Sequence, residues 1–503
     1  MVRFSCAAVR RPVSVSVSVS VSVSVSVLTL ATLFGSPAWA DDMPAEPASL
    51  YPADAVGEGS VSGGYALSRW AEDWRSKADP QPRDDLFDRL KYLPLDEDGD
   101  IYLTLSGEAR VRVNYTTNLN LRNAGSQRQD INRLVGGADL HVGPHLRFYG
   151  EIAHGGMSGD NIGTPSGSLR NDLVLLQSFA EVKGRVAGMD LGLRYGRQEF
   201  TDGPNLLTSQ RDNNTIRYAL NGVRAWARTG SLRIDAFDFK PTALGNGGTG
   251  DDKVEQGRRF SGFTAGIRIP GKALGGSELY LDPFFWRLRT SEALWGGVTG
   301  RVERFYAGAR LWGEVGPVNL DWTVNHQFGD FDGRDISAWQ LFFNQSYKLP
   351  GDLPMAPRIG FHADYASGGG TFEGGTVKAA YAPFGNNIYY SYQLCMTPTN
   401  LKTLTPSLTL SPLKGVKATM EYQFAWRADE NDAVYRANKS IFAGTQSVPG
   451  HKIGESIRAQ IVWAITPRLS FVGRYEHLDA GPVLSRAGYG NSDYLAGWLS
   501  FRF

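Results

Sequence analysis

The chain has 503 residues, of which 42% are hydrophobic, 12% aromatic and 20% charged, and it contains 59 glycines. This length suits two or three soluble domains, but so many glycines fit that class poorly. The formal charge is +1, and loss of Arg3, Arg10 and Arg11 with a leader leaves 49 basic against 51 acidic residues, so no excess of positive charge supports nucleic-acid binding.

The first 40 residues have the pattern of a secretory signal peptide. A basic start precedes an apolar stretch that includes Val27–Phe34, and Ala38-Trp39-Ala40 supplies small residues at the cleavage position. Cys6 lies in this leader, and Cys395 would remain alone in the mature chain. We therefore expect no structural disulfide, no cysteine metal cluster and no cofactor.

The mature chain contains no candidate membrane helix. After Ala40 no stretch approaches the ~20 apolar residues that a helix needs to cross a bilayer. Two interpretations remain: an exported soluble β-protein, or an outer-membrane β-barrel whose alternating strands escape hydropathy scans.

Residues 41–100 differ from the remainder of the chain. A Gly/Ser-rich linker, Gly57–Gly64, precedes residues Leu86 to Leu93, whose apolar positions have helical spacing. Asp84 is a plausible helix cap and Pro94 a stop. We expect a short helical periplasmic segment packed at the mouth of a barrel.

The acidic run Asp96-Glu97-Asp98-Gly99-Asp100 resembles part of a calcium-binding loop. Glycine follows the second aspartate of the run, and no glutamate closes a loop of the required length. We interpret the run as a solvated turn.

From Ile101 onward, apolar and polar residues alternate in segments of about 9 to 14 residues. In Leu103–Tyr115 one face carries Glu108, Arg110 and Arg112 while the opposite face is apolar, which is typical of a strand between lipid and water. Eighteen strands are predicted, at 102–115, 131–142, 145–154, 172–184, 190–200, 214–228, 231–240, 260–270, 277–288, 302–315, 317–328, 334–348, 354–365, 404–411, 415–427, 454–465, 468–478 and 492–503.

The connections between these strands alternate between short turns and mostly longer links. The links 155–171, 241–259, 366–403 and 428–453 are the longest. An even strand number and this asymmetry predict an all-β, antiparallel up-and-down transmembrane barrel over 101–503, with both termini in the periplasm. A secreted β-sandwich or β-helix is the alternative.

The chain ends in Phe503, on the apolar face of the last strand, with Arg502 pointing inward. A terminal Phe on such a face resembles the signal read by outer-membrane assembly machinery. We therefore expect this machinery and outer-membrane lipid as partners, in a Gram-negative outer membrane.

Arginine outnumbers lysine 39 to 13. Strand parity places many arginines in the interior, where planar guanidinium groups can bind carboxylates, although arginine–carboxylate ladders also stiffen barrels irrespective of cargo. The candidate pore-lining residues assigned in this way are Arg110, Arg112, Arg133, Arg147, Arg194, Arg224, Arg233, Arg304, Arg310, Arg358, Arg458, Arg474, Glu108, Asp139 and Asp364.

An enzymatic interpretation has little support in the sequence. Seven histidines are scattered, and neither a Gly-x-Ser-x-Gly nor a His-Glu-x-x-His motif is present. His141 and His145 are four residues apart, but Pro144 between them indicates a turn. We expect no catalysis and no metal site, although acids and histidines could still meet across strands.

Several segments resemble the alginate-export family of outer-membrane porins. The most specific are Leu193–Glu199, with its Arg-x-Gly-Arg-Gln pattern, and the downstream Asn221-Gly222-Val223-Arg224. The resemblance covers roughly residues 65 to 503. It implies a monomeric eighteen-stranded barrel with an arginine-lined constriction, and it adds Arg197 to Arg194 and Arg224 as pore candidates. Arg194 and Arg197 have opposite parity, so a bulge or strand end lies between them or one is outside the lumen.

We therefore expect passive export of an anionic exopolysaccharide such as alginate. The alternative is an uptake porin for small carboxylates or oligosaccharides, with similar arginines but a narrower lumen and inward-folded loops. The links 366–403 and 428–453 are long enough for such folding.

Overall fold

The computed structural model describes residues 51–52, 55, 60–78, 85–122, 124–203, 205–271 and 277–503. The expected signal peptide, residues 1–40, lies outside the described residues, as does the predicted cap Asp84. Residues from Ser49 to Phe503 form one compact unit.

A closed barrel of long antiparallel strands dominates this unit, and it confirms the predicted fold class. The eighteen long strands of the described chain are β1 (Ile101–Thr116), β2 (Gln127–Val142), β3 (Leu146–Ser158), β4 (Asn171–Val186), β5 (Met189–Gln198), β6 (Leu220–Arg228), β7 (Leu232–Ala243), β8 (Arg258–Ile269), β9 (Glu278–Trp295), β10 (Val298–Val315), β11 (Val318–Phe331), β12 (Arg334–Lys348), β13 (Arg358–Ala366), β14 (Leu401–Leu410), β15 (Val416–Trp426), β16 (Lys452–Ala464), β17 (Leu469–Ala480) and β18 (Ser492–Arg502).

The last strand closes the barrel against the first. Each long strand pairs antiparallel with its successor, and β18 pairs with β1 from Tyr494 opposite Thr116 to Arg502 opposite Glu108. Short two-residue strands, Leu93–Pro94 and Lys253–Val254, extend the sheet beside β1 and β7.

Side chains alternate between the interior and the lipid-facing surface. On β1, Arg110 and Arg112 are buried inside the barrel, whereas the side chains of Val111 and Val113 are 60% and 45% exposed on the outside. Charged groups face the interior because hydrocarbon cannot solvate them. None of the helices in the described part of the chain has the length and apolar character to cross a bilayer.

The strand boundaries differ most from the sequence prediction in two regions. The strand expected at 214–228 begins only at Leu220, because the alternating residues before it belong to a loop inside the barrel. The link expected between 288 and 302 is instead a tight turn at Gly296 and Gly297, whose φ angles of +55° and +83° suit glycine. β9 and β10 therefore extend farther than predicted.

The N-terminal segment contains less helix than its spacing predicts. Helix α1 covers only Leu86–Arg89, and its cap is Asp85, whose side chain accepts the Asp88 N–H at 2.9 Å. Leu93, the last apolar residue of the predicted helical pattern, is not helical. Together with Pro94 it forms a short extended strand that pairs with β1. In the following acidic run, the Asp96 carboxylate accepts the Ile101 N–H at 3.1 Å and so stabilises a turn.

The hydrophobic core lies inside the barrel and is built largely from links between strands. We call residues 199–219 the plug loop and residues 367–400 the cover loop. Leu207 of the plug loop and Phe384 of the cover loop pack with inward rings of β7 to β10, including Phe260 and Trp286. A further link, 427–451, also contributes buried residues to this core.

The C-terminus packs against the N-terminal segment at the barrel seam. The Phe503 ring lies 5.0 Å from the Phe87 ring, measured between centroids, and the Phe503 backbone exchanges two hydrogen bonds with Gly107. A side chain at position 107 would collide with the Phe503 ring. Arg502 donates to the Ala66 carbonyl at 3.2 Å, and the role of Phe503 in assembly stays a prediction.

Candidate functional site

The plug loop brings a carboxylate into the middle of the arginine-rich wall. Asp212 accepts hydrogen bonds from Arg110 on β1 at 3.0 Å, from Arg133 on β2 at 2.8 Å and from Arg217 of its own loop at 2.7 Å. We call these three arginines the central arginine cluster. Glu108 also contacts Arg110 and Arg133, so two carboxylates share the cluster.

The electrostatic balance keeps Asp212 ionised. Burial by itself would raise the pKa of its carboxyl, but the charges of Arg110, Arg217 and Arg133 outweigh burial and hold the pKa well below its ordinary range. The arrangement is therefore a carboxylate-binding site that a side chain of the protein already occupies.

Two further arginines widen this site without adding a carboxylate partner of their own in the described structure. Arg112 donates to the Asn213 carbonyl and Arg474 to the Asn213 side chain, each at 2.8 Å. Both guanidinium groups stack on the Trp498 ring, at 4.6 and 5.0 Å from its centroid. Further hydrogen bonds, from Arg112 to Asn114 at 2.6 Å and from Arg474 to Gln460 at 2.7 Å, together with the stacking hold both groups in place with neutral partners.

The N-terminal segment reaches the other side of the same network. Arg69 is buried and contacts Glu108 and Glu151, the latter at 3.1 Å. Ser68 donates to Glu199 at the start of the plug loop at 3.0 Å. The Leu67 carbonyl accepts from Arg217 at 2.7 Å. The segment and the plug loop are therefore linked inside the barrel.

Most of the other predicted arginines form pairs with acids on neighbouring elements. The arginines of these pairs are buried; five of the acids lie on neighbouring strands, as expected for ladders that stiffen a barrel, and Asp202 lies in the plug loop. The pairs are Arg147–Asp139 at 2.7 Å, Arg194–Glu181 at 2.8 Å, Arg224–Asp235 at 2.7 Å, Arg233–Asp202 at 2.7 Å, Arg310–Asp321 at 2.7 Å and Arg458–Glu421 at 2.9 Å.

Three predicted interior residues have other partners. Arg304 donates to Gln327 at 2.6 Å and to the Ala379 carbonyl of the cover loop at 3.1 Å, whereas Arg358 donates to Ser346 at 3.1 Å. Asp364 accepts from His362 at 2.7 Å. These contacts place all three residues inside the barrel but outside the central arginine cluster.

Arg197 is wrongly assigned to the pore. Arg194 is buried in the interior and stacks 3.7 Å from the Trp70 ring centroid, but Arg197 lies on the opposite face of β5. Arg197 donates to the Leu175 and Asp252 carbonyls at 2.8 and 3.3 Å. Arg194 and Arg197 therefore lie on opposite faces of β5, as their parity requires, with Arg197 outside the lumen. There its hydrogen bonds connect β5 to β4 and to the loop that contains Asp252.

Sequence reasoning missed the residues that the plug loop and the N-terminal segment contribute. Asp212, Arg217 and Arg69 lie outside the strands, where no periodicity assigns a direction to a side chain. Alternation assigned Arg217 to the strand predicted at 214–228, and no spacing singled out Asp212 or Arg69. Among the described residues, no three His, Cys, Asp or Glu side chains form a group suited to a metal ion.

A sequence model of the family described as alginate export matches residues 101–497, and this match confirms the resemblance drawn from the motifs. The sequence matches none of the curated proteins with which it was compared.

Solved structures with the same fold include outer-membrane barrels of two bacteria. OccAB1 of Acinetobacter baumannii has 12% identity and a TM-score of 0.53, with 82% of this chain and 99% of that chain covered. Pseudomonas aeruginosa OpdK, crystallised with vanillate, has 11% identity and a TM-score of 0.51, with 79% and 98% covered. OccK2 (OpdF) of the same bacterium has 11% identity and a TM-score of 0.51, with 80% and 97% covered.

Proposed function

Because this chain belongs to the alginate-export family and is an outer-membrane porin, we propose that it is a passive channel for carboxylate-bearing solutes. The leading function is export of an anionic exopolysaccharide such as alginate, in a Gram-negative outer membrane. Direction comes from synthesis or consumption of the solute elsewhere, since a passive pore conducts both ways.

The observation that carries this proposal is the position of Asp212. Three arginines from two strands and a loop converge on one carboxylate inside the barrel. A site that binds an aspartate side chain with charge-assisted hydrogen bonds has the donors to bind the carboxylate of a sugar acid. The solute would take the place of Asp212 as the plug loop moves aside.

The surrounding arginines support passage as well as binding. Arg112 and Arg474 border the central arginine cluster on β1 and β17, so a carboxylate released by one guanidinium group finds another nearby. Several weak sites in series let an ion enter and leave, whereas one tight site would trap it. A polymer with a carboxylate on each residue could engage several of them together.

Uptake of small carboxylates is the second candidate function, and the inward folding of the loops favours it. The plug loop and the cover loop both lie inside the barrel and contact each other, with the Phe384 N–H donating to the Leu207 carbonyl at 2.9 Å. Loops in this position narrow the lumen. A single extended glycan requires them to move, whereas a small carboxylate requires a smaller displacement.

Single-channel conductance in planar bilayers tests the proposal. Wild type is titrated with oligomannuronate, with a neutral oligosaccharide of equal length, and with a small monocarboxylate. We expect the acidic oligomer to block the current and the neutral oligomer not to block it, because only the former binds arginine. Block by the acidic oligomer alone favours polymer export, and stronger binding of the monocarboxylate favours uptake.

Substitutions assign the block to particular arginines. We expect Arg110→Ala and Arg133→Ala each to weaken the block by at least about tenfold, since loss of a charge-assisted hydrogen bond costs about 1.5–3 kcal/mol. Arg224→Ala is the matched control, because Arg224 is equally buried but paired with Asp235. An unblocked current, or equal effects of all three substitutions, would contradict the proposal and mean that the central arginine cluster has only a structural role.

A further inference from the structure

The outer surface of β8 to β11 carries a continuous row of aromatic rings. Phe263, Phe285, Phe305 and Phe328 follow one another across these four strands, with centroid distances of 6.1, 5.9 and 5.3 Å. They point outward, because their chain neighbours Trp286, Tyr306 and Gln327 are buried in the interior. We call this row the aromatic girdle. Such rows mark the boundary between hydrocarbon and headgroups.

Three outward arginines lie directly beyond the girdle. Arg287 and Arg289 are two and four residues beyond Phe285 on β9, and Arg259 on β8 is the register partner of Arg289. With both termini in the periplasm, these residues lie toward the extracellular end of the strands. Two strand residues span about 7 Å, which places the guanidinium groups at headgroup depth.

In the described structure two carboxylates pair with the three arginines, whereas a third at this level, Asp330, lies opposite Glu303 and accepts the Gly333 N–H at 3.1 Å. Asp238 binds Arg259 at 2.6 Å, and a single oxygen of Glu303 accepts from both Arg287 at 2.6 Å and Arg289 at 3.0 Å. We call these five residues the rim patch, and its net charge is positive. The arginine side chains stay 51%, 35% and 50% exposed, in the order 259, 287 and 289.

We propose that the rim patch binds the phosphate of a phosphorylated lipid headgroup in the outer leaflet. Guanidinium groups form paired hydrogen bonds with phosphate oxygens, and phosphate carries the charge that the patch lacks. The girdle beneath provides an apolar surface for the acyl chains of the same lipid. The Arg287 guanidinium lies 5.4 Å from the Phe305 ring centroid, which orients it beside that surface.

The test is native mass spectrometry of the full chain in detergent micelles, with lipid A and dephosphorylated lipid A as the two probes. We expect wild type to prefer phosphorylated lipid A on the order of tenfold. The double variant Arg287→Gln/Arg289→Gln is expected to lose this preference. Arg128→Gln is the matched control and keeps the preference, because Arg128 is also outward and exposed but is paired singly with Asp130 at 3.0 Å.

Arg259→Gln removes a charge of the rim patch on the neighbouring strand and is also expected to lower the preference. If the double variant does not fold, this single variant still tests the proposal. Equal binding of the two probes by wild type would overturn it. An undiminished preference in folded Arg287→Gln/Arg289→Gln protein would overturn it as well.

Discussion

Asp212 is the residue on which the contacts of the barrel interior converge. Its carboxyl pKa lies well below the ordinary value, because three arginine charges outweigh the effect of burial. A carboxyl whose pKa is depressed in the folded state contributes stability at pH values above its unfolded pKa, and that contribution is lost as pH falls through the lowered value. The plug loop is therefore held by ion pairs at neutral pH.

The lowered pKa of Asp212 predicts how conductance depends on pH. Wild-type conductance should stay constant from pH 7 to pH 5 and rise only at pH values well below the ordinary aspartate pKa, where Asp212 takes up a proton. Asp212→Asn should conduct more at every pH and lack this acid step. Single-channel recordings at stepwise lower pH measure both. An identical acid step in Asp212→Asn would mean that another group holds the plug loop.

Strand parity predicted which arginines enter the interior better than it predicted what they do there. Arg110 and Arg224 both face inward, yet one binds a loop carboxylate and the other a carboxylate of the adjacent strand. Parity describes a strand in isolation, whereas the partner depends on which loop folds into the barrel. Arg197, near the end of its strand, does not enter the lumen. Its side chain instead donates hydrogen bonds to backbone carbonyls of a neighbouring strand and a loop.

At the scale of elements, the plug loop and the cover loop support each other. The Phe384 side chain of the cover loop is buried and packs 5.2 Å from the Phe260 ring and 5.4 Å from the Tyr218 ring. Ser209 of the plug loop donates to the Phe384 carbonyl at 3.1 Å. A change in one loop should therefore affect the other.

Phe384→Ala should increase hydrogen exchange in residues 199–219 as well as in its own loop. Loss of a buried Phe side chain costs about 3–5 kcal/mol where the site cannot collapse, which exceeds the stability expected of a loop. Hydrogen exchange followed by mass spectrometry measures the change. Ile162→Ala, at an exposed position in another link, is the control and should leave residues 199–219 unchanged. Increased exchange confined to 367–400 would contradict the coupling.

The strands were predictable because a repeating environment, lipid on one side and a polar interior on the other, leaves a period of two in the sequence. The plug loop was not predictable on that basis. Thr215 to Tyr218 alternate like a strand, but Thr215, Ile216 and Arg217 are all buried in succession, because a loop inside the barrel has neighbours on every side. Long-range contacts decide such segments.

At the scale of the whole molecule, two segments from opposite ends of the barrel meet in its interior. The N-terminal segment reaches Glu108 through Arg69, and the plug loop reaches the same wall through Asp212. Monomeric assembly and recognition of Phe503 by assembly machinery stay predictions. On the proposed function, we expect a large solute to pass only when Asp212 releases the central arginine cluster.

The most direct test is a comparison of oligomannuronate block in wild type and in Asp212→Asn, measured as the apparent Kd from single-channel current. If solute and Asp212 compete for the same arginines, removal of the competing carboxylate should tighten the block by at least about tenfold, the equivalent of one charge-assisted hydrogen bond. Asp238→Asn, which alters a carboxylate outside the lumen, should leave the block unchanged. An equal or weaker block in Asp212→Asn would contradict the account, because the solute would then bind elsewhere.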